Sequence, residues 1–557
     1  MKTLTKTRIT HPRDFTNQFR GILKKFAVIR PIASCVLCSV FLALAVWTVS
    51  GSQRPAGASQ RSSGAGHQPS GGCALPPNNA YDTTVQYVET FYPLWFTYNQ
   101  DVDSNVLVGP ERVSPVYQSV VMINDDTIYC SAFLNLDPTV YPSPAPSPEP
   151  MMILTVPSTD SPDACSPDTS VTYSILILSP YGDVYPVASD PCATPTPPQV
   201  IPHGAPPIPG GTYALVGPDY TGSPSPPPGT TLVQLPWNYP TIIFRSDKYH
   251  SFAGPTATPA YVNQINEANR FRSLLQLQTL SQYDNCPKTG GYPDIKPEVP
   301  DFAIPYKTTA DNEIAKHPIA FLRELQTAVH SVRTPPNTCA AALSAQFDAL
   351  FGNGQWADNS QFGRGARAAH DQIENNYVNG HQVGNHWTHF TNIGNWDPDN
   401  ISISNAIDRS SITEFCQFCN DINSAGYYHA FNDGQGHALK GDKRGYVLTF
   451  PSPTPPGVYP GPATTRFWSL TAYTPDAIEL IPNSINKYEV ASYSGAHLNS
   501  DGSLSIYMAT ERPDGVPIEN WLPVQNGPFN VVLRDYGPPE GGSVVCDTYI
   551  PPAIQKR

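Results

Sequence analysis

Charge is scarce in this 557-residue chain. Asp, Glu, Lys and Arg together make up 14% of it, against about a quarter in an ordinary globular protein. Basic side chains are scarcest of all beyond the start. Nine of the 33 Lys and Arg lie in residues 1–54 with a single acid, Asp14, which leaves 24 basic against 45 acidic residues in the remainder, a net −21. A body of that sign repels phosphate, and nucleic acid is excluded as a partner. Familiar catalytic signatures are missing too. There is no G-x-S-x-G, so no nucleophile elbow. Gly363-Arg364-Gly365 lacks the strand and spacing of a dinucleotide fingerprint. No known zinc signature occurs, and no repeat of fixed period, which excludes a solenoid or propeller. The sequence assigns no cofactor and no oligomeric state.

What is abundant points to a β-rich fold. Hydrophobic residues are 40% and aromatics 11%, with 29 Tyr, enough to bury a large core and exclude wholesale disorder. The 62 Pro and 39 Gly cap helix content and favour short strands with many turns. The length predicts two or three domains.

Residues 31–49, PIASCVLCSVFLALAVWTV, carry no charge. Nineteen residues at helical rise span about 28 Å, close to the bilayer core of about 30 Å. Residues 1–30 form a basic leader, so the positive-inside rule keeps that end in the cytosol. Residues 50–72 are a polar flexible linker. Two fates fit: a signal peptide cleaved near Ala56-Gly57-Ala58, or a retained signal-anchor. The long leader and the distance of Ala56 from the apolar run favour retention. Either way the body is exported, and the membrane is a partner through residues 31–49.

Cysteine usage fits that compartment. Beyond Cys35 and Cys38 in the apolar run, nine cysteines are scattered through loop-like sequence, an odd number, as in a disulfide framework with one thiol left over. Cys416-Gln417-Phe418-Cys419 has redox-motif spacing without a surrounding βαβ pattern, so a local disulfide or two structural cysteines fits better. Asn400-Ile401-Ser402 is a glycosylation sequon, usable in a eukaryotic secretory route.

Along the chain, residues 73–285 read as a first β domain of short apolar or alternating runs, interrupted by Pro-rich loops at 143–150 and 194–211. Residues 259–283 have helical spacing after a proline. Residues 286–424 read as a helical connector, with i, i+3, i+4 spacing strongest over 310–375. Residues 425–557 return to strands, with Asn499-Ser500-Asp501-Gly502 predicting a hairpin turn.

Candidate chemistry is sparse. Asp125 and Asp126 stand beside Tyr129 at the end of an apolar strand and suit acid–base or metal-binding roles; Asn-Asp-Asp is equally good turn chemistry, with carboxylates capping backbone amides. Arg245 and Arg534 lie in apolar strands, where an acid is the expected partner. Asn520 and Trp521 form a compact polar–aromatic phrase of the recognition type. Trp468 is a binding candidate or a core residue. His370, His381, His386 and His389 cluster. His386-x-x-His389 would put two imidazoles on one helical face, a weak metal candidate because Gly380 and Gly384 interrupt a helix there.

Several ordered phrases resemble a known pair of domains. Ile123-Asn124-Asp125-Asp126-Thr127-Ile128-Tyr129, Asn135-Leu136-Asp137 and Tyr213-Ala214-Leu215-Val216-Gly217-Pro218-Asp219-Tyr220 resemble the domain of unknown function numbered 1254. Phe467-Trp468-Ser469-Leu470-Thr471-Ala472-Tyr473, Asn520-Trp521-Leu522-Pro523, Gly527-Pro528-Phe529 and Leu533-Arg534-Asp535-Tyr536 resemble its companion numbered 1214. The resemblance covers most of residues 80–555. The Pro-rich insertions, extra cysteines and basic leader depart from it. It implies a two-domain β-rich fold joined by helices, usually exported, and little about chemistry. The expected fold class is mainly β (α+β): two β-sandwich or jelly-roll-like domains, a helical connector and one N-terminal hydrophobic helix. The expected function is an enzyme acting on a small or carbohydrate-like molecule in an interdomain cleft, with Asp125, Asp126, Arg245, Asn520 and Arg534 as catalytic and Tyr129, Trp468 and Trp521 as substrate-binding candidates. The alternative is a non-catalytic envelope protein that binds ligands or partners.

Overall fold

The computed structural model describes residues 75–108, 122–137, 151–157, 172–185, 210–251, 261–283, 306–331, 338–394, 396, 403–454 and 458–557. The apolar segment 31–49 with its leader and linker, Cys73, Cys165, Cys192, Cys286, the Asn400 sequon and nearly all of both Pro-rich insertions lie outside them. Among the described residues no helix is long and apolar enough to cross a membrane.

Among the described residues the fold is mixed α+β, mostly open sheets with several helices and no barrel. In the first domain the strands are β1 (Thr127–Phe133), β2 (Met151–Val156), β3 (Tyr173–Leu178), β4 (Val184–Tyr185), β5 (Gly211–Val216), β6 (Thr231–Gln234), β7 (Thr241–Asp247), β8 (Tyr249–Ser251), β9 (Tyr261–Asn263) and β10 (Gln276–Thr279). They build one sheet of order β1-β7-β3-β4 and another of order β10-β2-β5-β6. Strand alternation explains their packing. Ile128, Cys130, Ile175 and Phe244 face a core shared with Leu154, Leu215 and Phe271. Tyr129, Phe133, Leu176 and Ile243 face the other way, into a helical layer.

That layer holds the largest departure from the sequence expectation. Residues Ala80–Val108 form a 29-residue helix, α1, with Pro93 inside it. Pro and the aromatic, β-branched composition disguise it, and Tyr87, Val88, Phe91, Tyr92, Leu94, Trp95 and Phe96 are all buried, so no one-sided apolar stripe exists to be read. The expected helix over 259–283 is shorter: α2 spans Ile265–Leu274 between β9 and β10. Then come α3 (Tyr306–Lys316), α4 (Pro318–Ser331), α5 (Thr338–Phe351), α6 (Gln361–Asn375) and α7 (Ile403–Cys416). α1 packs against α4, α5, α6 and α7. A Cβ on Gly365 of α6 would lie 2.8 Å from the Tyr81 carbonyl oxygen, so glycine permits the close α1–α6 crossing. Helices α3 to α7 therefore do more than connect: with α1 they form a helical layer against both β domains.

The second domain contains β11 (Gln382–Gly384), β12 (Trp387–His389), β13 (Ala425–Ala430), β14 (Lys440–Gly441), β15 (Tyr446–Phe450), β16 (Phe467–Tyr473), β17 (Glu489–Ala491), β18 (Leu504–Ala509), β19 (Trp521–Pro523), β20 (Gly527–Pro528), β21 (Asn530–Tyr536) and β22 (Gln555–Lys556). A six-stranded sheet, β11-β12-β13-β21-β16-β17, shares a core with a four-stranded sheet, β19-β18-β15-β22. Trp468, Leu470, Val531 and Leu533 enter that core, while Phe467, Tyr473, Val532 and Tyr536 join the helical layer. The turn at Asn499–Gly502 is present, with Gly502 at φ +83°. It does not close a hairpin, because β17 and β18 belong to different sheets.

Candidate functional site

The chain enters β1 through Asn124, Asp125 and Asp126, which are irregular rather than strand. The turn chemistry falls to Asn124. Its Oδ1 accepts from the Asp126 amide (3.2 Å) and the Thr127 hydroxyl (3.4 Å), and its amide nitrogen donates to the Tyr536 hydroxyl of the second domain. The two carboxylates, expected as caps, are thereby released to other partners. Asp125 pairs with Lys248. Asp126 is fully buried and accepts from Ser469 Oγ of β16 at 2.7 Å.

A cleft of ≈ 430 Å³ opens beside this turn, between the two domains. Asp125 and Tyr249 line it from the first domain; Lys487, Tyr488, Glu489, Tyr493 and Glu519 line it from the second. Tyr249 stacks on Tyr493 with centroids 4.1 Å apart. The Tyr493 hydroxyl bonds to Asp126 Oδ1 at 2.6 Å and also to Glu489 Oε1. One hydroxyl carries one proton. It can satisfy two carboxyl oxygens only if one of the carboxyls is itself protonated and donates back. Glu489 is that acid: burial, then the charges of Asp126 and Asp125, push its carboxyl well above the usual carboxylate range. Asp126 then takes two donors, Tyr493 and Ser469, as a carboxylate should. Glu489 Oε2 is buried without a hydrogen-bond partner. The site thus presents a neutral acid hydrogen-bonded to a carboxylate through a tyrosine, an arrangement able to deliver or remove a proton.

Lys487 precedes β17 by two residues. Nζ donates to the carbonyl oxygens of Ile518 (2.5 Å) and Glu519 (3.0 Å), and burial pulls the amine down to about 8.

Neither Glu489, Tyr493 nor Lys487 was a sequence candidate. The only signal was an acid inside the apolar run Tyr488-Glu489-Val490-Ala491, flanked by tyrosines.

Of the sequence candidates, Asp125 and Asp126 reach this site; the others do not line the cleft. Arg245 donates to Asn420 Oδ1 (3.0 Å) and the Phe418 carbonyl (2.6 Å). Arg534 donates to the Met122 carbonyl (2.7 Å), Tyr473 (2.6 Å) and Thr471 (3.3 Å). The expected acid partners are replaced by carbonyls and hydroxyls, which stitch the two domains and the Cys416–Asn420 turn together. Asn520 is consumed by bonds to the His497 backbone and the Ser505 carbonyl. Tyr129 lies beneath Arg245, 5.2 Å from ring centroid to guanidinium carbon. Trp468 is core, 1% exposed, against Phe450 and Tyr459. Trp521 donates to the Ala509 carbonyl at 3.0 Å.

The His386/His389 metal idea fails on geometry. His389 is in β12, not a helix, and His386 is in the preceding turn at φ +62°. His389 is buried, stacked on Tyr428, with Nδ1 2.8 Å from the Tyr427 carbonyl. His370 joins a different group. Donor atoms of Asp311, His370, Glu374 and Glu414, from α3, α6 and α7, lie within 4.8 Å of one another, a spacing that fits a metal's ligand shell. Lys307 Nζ, however, lies 2.8 Å from Glu414, 3.1 Å from Asp311 and 3.2 Å from Glu374, so an ammonium already serves as the central cation. Cys416 and Cys419 form the local disulfide; Cys339 and Cys546 are also disulfide-bonded. Cys130 is buried and free, with burial pushing its thiol up to about 12, an inert thiol.

Comparison with known proteins adds the family but no activity. Over most of its length the chain matches the crystal structure of the VPA0106 protein from Vibrio parahaemolyticus, with TM-score 0.50 and 17% identity, covering 86% of this chain and 100% of that one. The likeness is one of fold. A putative uncharacterized protein from Burkholderia cenocepacia aligns with TM-score 0.35 and 12% identity over 85% of this chain and 92% of its own. No curated protein matches. Residues 104–271 match the family model described as protein of unknown function (DUF1254), and residues 424–540 the one described as protein of unknown function (DUF1214). In that N- to C-terminal order, the chain belongs to the family of proteins that pair these two domains.

Proposed function

We infer that this is a membrane-tethered protein working outside the cytoplasm, and that its interdomain cleft is an enzyme site for a small carbohydrate-like molecule. Glu489 is the proton donor, Asp126 its charged partner and Tyr493 the relay. The observation that carries this reading is the single Tyr493 hydroxyl held between two carboxyls, which demands a proton on one of them at the floor of an accessible cleft. The ligand class follows from the lining. Tyr249 and Tyr488 offer flat apolar surface, Asp125, Asn486 and Glu519 offer hydrogen-bonding groups, and the excess of carboxyls disfavours anions. The volume is in the range of ligand sites. Export is supported by the charge step, the apolar run at 31–49 and the disulfides, which persist in oxidising compartments.

The test is a thermal-shift screen of the full-length chain against monosaccharides and polyols. A binder at 100-fold excess over its Kd adds about 2.7 kcal/mol; turnover of that binder should then fall at least 100-fold in Glu489→Gln while binding persists. A second reading, a non-catalytic latch between domains, is favoured by the near-complete burial of Asp126 and Glu489. Under that reading no sugar stabilises the chain and the variant changes stability alone.

A further inference from the structure

Proton transfer leaves Lys487 of the cleft wall unused. Lys487 precedes β17 by two residues and Glu489 opens that strand. Both line the cleft. The Lys487 amine is fixed: Nζ donates to two backbone carbonyls of the Ile518–Glu519 turn, at 2.5 and 3.0 Å. A neutral amine has two hydrogens. With both held on carbonyls, its lone pair is the only valence left for the cleft. We propose that Lys487 is a nucleophile that condenses with the aldehyde carbon of a small hydroxy-aldehyde, such as an open-chain sugar, held in this cleft.

The step balances without any further reagent. The Nζ lone pair forms the C–N bond, the carbonyl π pair moves to oxygen, and Glu489 protonates that oxygen. One Nζ hydrogen returns to the Glu489 carboxylate, giving a carbinolamine. The carbinolamine expels its hydroxyl with a second proton, delivered by Glu489, as C=N forms. The last Nζ hydrogen restores the acid. Amine and aldehyde become imine and water.

The charged and titratable groups around the amine are consistent with this. Glu519 faces it from the neighbouring turn and Glu489 from two residues further along the chain. Asp125, Lys248, Tyr249 and Tyr493 complete the cleft wall and its immediate backing. The two glutamates raise the amine's pKa, but burial outweighs them and brings it down to about 8. About a tenth is then neutral at pH 7, on the order of 100-fold more than for an ordinary lysine. Two other described lysines differ: Lys307 is buried within three carboxylates, and Lys443 is exposed on Glu511.

The inference takes its address from the proposed function, and the experiment separates the two. The full-length chain is incubated with glycolaldehyde and cyanoborohydride at pH 7, digested, and its adducts located by mass spectrometry. We expect Lys487 to be trapped at least ten times faster than Lys443, with a pH midpoint near 8. This regioselectivity is read on the wild-type chain, so no variant has to fold. Glu489→Gln should slow trapping at Lys487 about tenfold or more. Selective trapping that is unaffected by this variant upholds the nucleophile and discards the acid. Trapping no faster than at Lys443 overturns the proposal, even if a non-reducing polyol still stabilises the chain and the cleft reading stands.

Discussion

Glu414 and Glu489 are both buried glutamates bonded to a tyrosine, Tyr92 in one case and Tyr493 in the other, yet they end in opposite protonation states. Burial pushes both carboxyls up. At Glu414 the Lys307 ammonium, 2.8 Å away, and His370 overcome that push and hold the carboxyl far below its ordinary value. At Glu489 the charges that weigh most are Asp126 and Asp125, which add to the push. The helical cluster thus neutralises Glu414 with an internal cation, and the cleft neutralises Glu489 with a proton. A cation makes a structural lock, whereas a proton can be exchanged with a ligand. This is why the cleft, and not the more crowded helical cluster, carries the chemical proposal.

The comparison breaks hardest at Lys307. Lys307→Met removes the cation from three carboxylates and leaves Glu414 buried without its nearest charge. We expect a loss of 3–5 kcal/mol, about the cost of orphaning a buried charge, read by chemical denaturation at pH 7. His370, pushed up to about 10 by Asp311 and Glu414 against the downward pull of burial, would still hold part of the cluster. A loss below about 1 kcal/mol would show that the helical cluster is no tighter than a surface pair. On the cleft side the largest effect belongs to Tyr493→Phe. It deletes the hydroxyl that bridges Asp126 and Glu489, so Asp126 loses that donor and keeps Ser469. We expect about 1–3 kcal/mol from the same measurement, together with loss of the proton relay.

How far these two regions could be read from sequence differs for physical reasons. The strands of both domains were legible, because alternation sends Ile128 and Phe244 to one core and Tyr129 and Ile243 to another. α1 was not, since a helix buried on all sides has no period to detect. Asp125 and Asp126 were legible as candidates from their local crowding. Glu489 was not, because a carboxyl's proton depends on what packs against it, and its partner Asp126 comes from the other domain. His386-x-x-His389 misled for the converse reason. Its spacing means convergence only on a helix, and Trp387–His389 is a strand.

The variant with the smallest expected effect at acid pH separates the regions most cleanly. Glu489→Gln replaces a protonated glutamic acid by a neutral isostere that can still donate to Tyr493. Below the unfolded-state pKa of about 4.3 both chains are neutral at this position in both states, and stability should agree within about 1 kcal/mol. As pH rises above that value, the unfolded wild-type chain releases the Glu489 proton while the folded chain keeps it, so the wild type loses stability until the raised folded pKa is passed. The variant has nothing to titrate there. The difference, variant minus wild type, should therefore climb in favour of the variant as pH rises above about 4. His370, with a folded value of about 10, and Glu89, which burial lifts to about 7, tilt both chains equally and cancel. A cation-held Glu489, like Glu414, would give the reverse sign: its folded pKa would be depressed, and the wild type would gain on the variant as pH rose. Urea titrations of the two chains at pH 5 and pH 8 therefore decide by sign alone whether the cleft acid holds a proton or a hidden counter-charge.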